Sequence, residues 1–98
     1  MNRDEALTRL RANQERLDAF PIKRLAVFGS VARNEADESS DVDILVEFPP
    51  EARVGLFEFA RLQRTLVDIL GCTVDLVTPD ALRQEMRAQI LQEAVYAS

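Results

Sequence analysis

The chain has 98 residues, 47% hydrophobic and 30% charged, which predicts one soluble globular domain near the low end of the usual size range. With 17 acidic residues against 12 basic ones, the net charge of −5 argues against a direct grip on nucleic-acid phosphates. The absence of histidine excludes His-based zinc sites, Ser-His-Asp triads and imidazole bases, and the lone Cys72 excludes an internal disulfide.

No apolar stretch approaches the length of a bilayer span, and MNRDEALTRL lacks the apolar core of a signal peptide. The expected address is therefore the cytoplasm, with no membrane partner. NRDEALTRLRANQERLDAF reads as one helix, with Asn2 as N-cap, Glu5 at capping-box spacing and Leu7, Leu10 and Leu17 on its apolar side. Pro21 is its expected stop. RLAVFG reads as a strand ended by Gly29, and SVARN as the start of a short helix with Ser30 near its N-cap. EADESSD reads as a hydrated loop.

VDILVEF is a second strand, with Asp41, Asp43 and Leu45 on one side and Val42, Ile44, Val46 and Phe48 on the other. Pro49 and Pro50 end it. VGLFEFARLQRTLVDIL carries Leu56, Phe59, Ala60, Val67 and Leu70 at helical spacing, and Gly71 suits the residue just past its end. Phe57, Leu62 and Leu66 add apolar surface on more than one side, as a protein interface or a sandwiched helix would. CTVDLV is a third strand, and Thr78-Pro79 an N-cap followed by proline at the first helical position. DALRQEMRAQILQEAVYA then reads as helical, in one or two pieces. The order α-β-α-β-α-β-α predicts an α/β (α+β) domain with a small mixed sheet flanked by helices.

The carboxylates carry the chemistry. Asp41 and Asp43 point the same way from one strand, and Asp75 joins them if the third strand pairs beside the second. Unit charges ~4 Å apart repel by about 4 kcal/mol at an effective dielectric near 20, so water or a cation must intervene. A hard divalent cation resolves the conflict, and Mg²⁺ takes one or two carboxylates together with substrate phosphates. Gly29 lets a phosphate approach the backbone, Ser30 offers a hydroxyl, and Arg33 reaches a phosphate or is simply paired. Each residue alone has a plainer reading: solvated strand aspartates, a serine cap, a solvated arginine. Together they describe metal-assisted phosphoryl transfer.

Gly29-Ser30, ten residues, Asp41-x-Asp43 and a later strand aspartate resemble the nucleotidyltransferase superfamily related to DNA polymerase beta. VFGSVARNEADESSDVDILVEF and VDLVTPDALRQEMRAQILQEAVY resemble its minimal (MNT) members, and the likeness covers nearly the whole chain. Asn34 departs from the glycine frequent after the arginine, but asparagine tolerates a left-handed backbone.

The resemblance implies that residues 1–98 form one minimal nucleotidyltransferase domain with that fold. It implies Asp41, Asp43 and Asp75 as ligands of two Mg²⁺ ions, with Asp75 also helping to deprotonate the attacking hydroxyl. Gly29 and Ser30 would hold the β- and γ-phosphates of ATP. The implied role is that of an antitoxin that transfers AMP to a tyrosine of a HEPN-type toxin. Neutralisation by binding alone, or transfer to a small molecule, are the alternatives. Tyr96 is read as packing or partner contact and Cys72 as a small buried residue.

Overall fold

The computed structural model describes residues 1–35 and 41–97. Helix α1 (Arg3–Ala12) starts at Asn2, whose side-chain oxygen accepts the Glu5 N–H at 2.8 Å. Glu5 does not reach back to complete a capping box; its carboxylate takes Arg9 at 2.9 Å instead. The expected single N-terminal helix is broken at Asn13, and a short α2 (Gln14–Leu17) follows. The break has a local cause. Asn13 donates its side-chain N–H to the Arg9 carbonyl at 2.8 Å, so the side chain competes for a helical acceptor.

Strand β1 (Arg24–Phe28) leads directly into α3 (Gly29–Ala32). The helix thus begins at Gly29, and Ser30 lies inside its first turn rather than capping it. Strand β2 (Val42–Glu47) is followed by α4 (Leu56–Leu70), β3 (Val74–Val77), a 3₁₀ turn at Pro79–Ala81 and α5 (Gln84–Glu93). Gly71 takes the left-handed conformation (φ 71°) and closes α4 by donating to Val67 at 2.7 Å. Arg9 donates to the Leu70 carbonyl at 2.8 Å, satisfying another carbonyl of that helix end.

The expected helix through residue 97 stops at Glu93. Val95–Tyr96 form a short β4 paired antiparallel with Ala26 and Val27 of β1. The sheet order is β3-β2-β1-β4, with β1 antiparallel to both neighbours and β2 parallel to β3.

Alternation along the strands divides the interior. Leu25, Val27, Val42, Ile44, Val46 and Val74 face α1 and α4, packing with Leu7, Leu10, Leu62, Leu66 and Leu70. Ala26, Phe28 and Leu45 face the other way and pack with Ile90 of α5. The buried face of α4 is rotated from the one read off its spacing, since Leu56 is 82% exposed and Val67 lies at the surface. A helix apolar on more than one side can dock either way, and the side chains of β2 and β3 select the docked face. Among the described residues, no helix is long and apolar enough to cross a membrane.

Leu66→Ala, which empties a fully buried site, is expected to cost about 2–5 kcal/mol in chemical denaturation. Leu56→Ala should stay within about 0.5 kcal/mol of the parent. Equal losses at the two positions would contradict the assigned face.

Candidate active site

Asp43 and Asp75 are direct partners in the parallel pairing of β2 and β3. Partnered residues leave a sheet on the same side, and adjacent strands lie about 4.8 Å apart, so the two carboxylates meet at one level. They share the sheet face that carries Leu45 and Val77, which pack in the Ile90 cluster. Asp41, exposed, lies just before β2 and two residues from Asp43.

The electrostatic consequence falls on Asp43. Its carboxyl is pushed above the ordinary 3.8, first by partial burial and then by the charges of Asp75 and Asp41. Arg33 opposes the shift and Glu93 adds to it. The Cys72 thiol is also pushed up, by burial first, which makes it a poor nucleophile.

The glycine turn adjoins this pair. Phe28 is the cross-strand partner of Asp43, so Gly29 follows immediately beside it. Gly29 has φ 72°, and a Cβ there would collide with the Asp43 carboxylate, its Cγ only 3.1 Å away. Both facts demand glycine: one through backbone sterics, the other through the space the carboxylate occupies. Ser30 is half-buried in the first turn of α3, and its carbonyl accepts the Glu35 N–H at 2.8 Å. Asn34 is left-handed (φ 58°), as its sequence reading anticipated, and its side chain accepts the Arg3 N–H at 3.0 Å.

Arg33 is paired on two sides. Its Nε donates to Glu35 at 3.0 Å, and its Nη1 reaches both oxygens of Glu93 at 3.1 and 3.0 Å. Glu93 also accepts the Gly29 N–H at 3.3 Å. The sequence reading missed Glu93. Nothing in QILQEAVY separates it from any other polar residue of a helix; only the contact across 60 residues does.

The turn, Arg33 and α5 enclose a cavity of about 200 Å³ whose lining includes Phe28, Met86 and Ile90. A larger cavity of about 330 Å³, bounded by Leu17, Phe20, Pro21, Leu25 and Pro49, contains neither the aspartate pair nor the turn. The polar loop over residues 36–40 lies outside the described residues.

The donor set fits a hard divalent cation in a particular way. Among the described residues, no three acidic or cysteine side chains form a ready-made cage, so the three expected ligands are not assembled as one. The structure pairs Asp43 with Asp75 and leaves Asp41 outside the strand. One or two carboxylates suffice for Mg²⁺ when substrate phosphates complete the shell. In that arrangement Asp43 and Asp75 would hold the cation, with Asp41 at its edge.

Residues 9–97 match the nucleotidyltransferase domain family. The chain belongs to that family. This nucleotidyltransferase is 41% identical over 83 residues to the protein adenylyltransferase MntA of Thermococcus cleftensis, covering 85% of its own length and 82% of that protein. It superimposes with a TM-score of 0.69 on a solved structure described as a candidate minimal nucleotidyltransferase, at 37% identity over 97% of this chain and 95% of the other. A toxin–antitoxin crystal structure with AMP-PNP shares its fold, with a TM-score of 0.68 at 20% identity, covering all of this chain and 73% of the other. The nucleotidyltransferase fold and enzyme class read from Gly29-Ser30 and Asp41-x-Asp43 therefore hold.

A raised carboxyl binds its proton more tightly in the folded chain than in the unfolded one. Stability therefore falls as pH climbs from the ordinary carboxyl value through the raised one, and the full cost persists above it. Asp43→Asn in metal-free buffer should raise the melting temperature by a few degrees at pH 7, with the gain vanishing below about pH 4. A lowered melting temperature at pH 7 would contradict the cost assigned to ionising Asp43 where burial and its neighbours' charges oppose it.

Proposed function

We propose that this nucleotidyltransferase is an Mg²⁺-dependent protein adenylyltransferase that transfers AMP from ATP to a tyrosine hydroxyl of a HEPN-type toxin, acting as its antitoxin. The observation that carries the reading is the in-register pair Asp43 and Asp75 beside the Gly29 turn. The named activity of the T. cleftensis relative supports protein as acceptor, and the toxin–antitoxin neighbour crystallised with AMP-PNP supports a toxin partner and an adenine nucleotide. Leu56 and Phe57, 82% and 88% exposed at the start of α4, are consistent with a protein partner rather than a small molecule.

In this reading Gly29, Ser30 and Arg33 hold the β- and γ-phosphates, so the α-phosphate lies over the carboxylates. Asp43 and Asp75 would hold Mg²⁺, with Asp41 at its edge, and the bound ion would supply charge neutralisation at the phosphates and a lowered pKa for the acceptor hydroxyl. The hydroxyl oxygen forms a bond to the α-phosphorus while the bond from that phosphorus to the bridging oxygen breaks, releasing pyrophosphate. The hydroxyl proton passes to the Asp75 carboxylate, which is exposed and accessible to an acceptor. The absence of histidine and the pairing of Asp75 with Asp43 support a carboxylate in the role of base.

The test is incubation with ATP labelled at the α-phosphate, Mg²⁺ and the HEPN-type toxin. Label should reach the toxin, disappear with chelator, and fall by at least about 100-fold in Asp41→Ala/Asp43→Ala. Undiminished labelling by the double variant would reject the assigned site. Toxin protection that survives without labelling would instead favour neutralisation by binding.

A further inference from the structure

Glu93 holds two donors that the proposed function assigns to ATP. Its carboxylate accepts the Gly29 N–H at 3.3 Å and receives Arg33 Nη1 on both oxygens, at 3.1 and 3.0 Å. These are the backbone and guanidinium donors of the turn beside Asp43, and a carboxylate presents to them the same anionic oxygens that a phosphate would. The placement belongs to the fold. Glu93 is the last residue of α5, its side chain is 17% exposed, and β4, which starts after Ala94, is stitched to β1, the strand that runs into Gly29. Ala97 adds a bond to the Leu25 carbonyl at 2.8 Å, so the chain on the far side of Glu93 is tied to the same strand.

A structural ion pair for Arg33 alone would be better placed away from the aspartates. Here a further carboxylate stands on a site that already carries Asp43 and Asp75, where it adds to the repulsion. We propose that Glu93 is a resident anion of the phosphate seat: it occupies Gly29 and Arg33 in the nucleotide-free protein, is displaced by the β- and γ-phosphates, and so sets nucleotide affinity. This rests on the nucleotide reading of the site and adds its affinity-determining residue. A site occupied by its own side chain binds an outside ligand more weakly by the fraction of time it stands open. The weakening applies to ligands that need both donors, and not to AMP, which lacks the two outer phosphates.

The test compares the full chain with Glu93→Gln by calorimetric titration of AMP-PNP and of AMP, with Mg²⁺ and at fixed ionic strength. Glutamine keeps the shape and an acceptor for the Gly29 N–H but removes one of the two charges that hold Arg33, leaving Glu35 on its Nε. The expected result is about tenfold tighter binding of AMP-PNP with unchanged affinity for AMP. AMP-PNP bound equally or more weakly by the variant would overturn the proposal and leave Glu93 a positioning residue for Arg33. A wild-type chain that binds no AMP-PNP would overturn both this inference and the nucleotide reading. If far-UV circular dichroism shows Glu93→Gln unfolded, Glu93→Asp replaces it. Its shortened carboxylate cannot span both donors, and the same two results decide.

Discussion

Two carboxylates forced to the same level on adjacent parallel strands are the constraint on which the rest of this molecule depends. Strand register leaves Asp43 and Asp75 no separate directions to point, since neighbours across a pleated sheet share a side. The Asp43 carboxyl is pushed up first by its partial burial and then by the charges of Asp75 and Asp41. Gly29 is drawn in by the same geometry, because any larger residue would occupy the volume of the Asp43 carboxylate. Under the proposed function, this crowded charge would be neutralised by a cation that arrives with the nucleotide.

The architecture accommodates this by dividing its two faces unequally. Most of the buried apolar residues lie between the sheet and helices α1 and α4, where Leu10, Leu62, Leu66 and Leu70 pack against Val27, Ile44 and Val46. The opposite face is covered only in part, by Ile90 of α5 over Ala26, Phe28 and Leu45. At the aspartate end of that face Asp41 and Asp75 are exposed and Asp43 is half-buried. The larger apolar core thus lies on one side of the sheet and the aspartate pair on the other, where solvent screens like charges.

The parts of the molecule that were legible in the sequence are those with local causes. Alternation in VDILVEF assigned Asp43 and Leu45 to one side and Ile44 and Val46 to the other, as the two clusters have them. Gly71 and Asn34 were read from backbone preference and adopt the left-handed conformations expected. The misses have non-local causes. Val95–Tyr96 continue a helix-compatible pattern, and only pairing with Ala26 and Val27 makes them a strand. The buried face of α4 was chosen by its neighbours among several apolar options. Glu93 became significant only when the chain end returned to Gly29 and Arg33. Asp75 sits between: its type and strand were legible, but its alignment with Asp43 required the pairing of β2 with β3.

Diffraction from crystals of the chain grown with Mn²⁺ and AMP-PNP decides whether the aspartate pair holds the metal. The expected result is an anomalous peak between the carboxylates of Asp43 and Asp75, with the triphosphate lying against Gly29 and Ser30. An ordered nucleotide bound elsewhere, or a metal peak away from the aspartate pair, would contradict it.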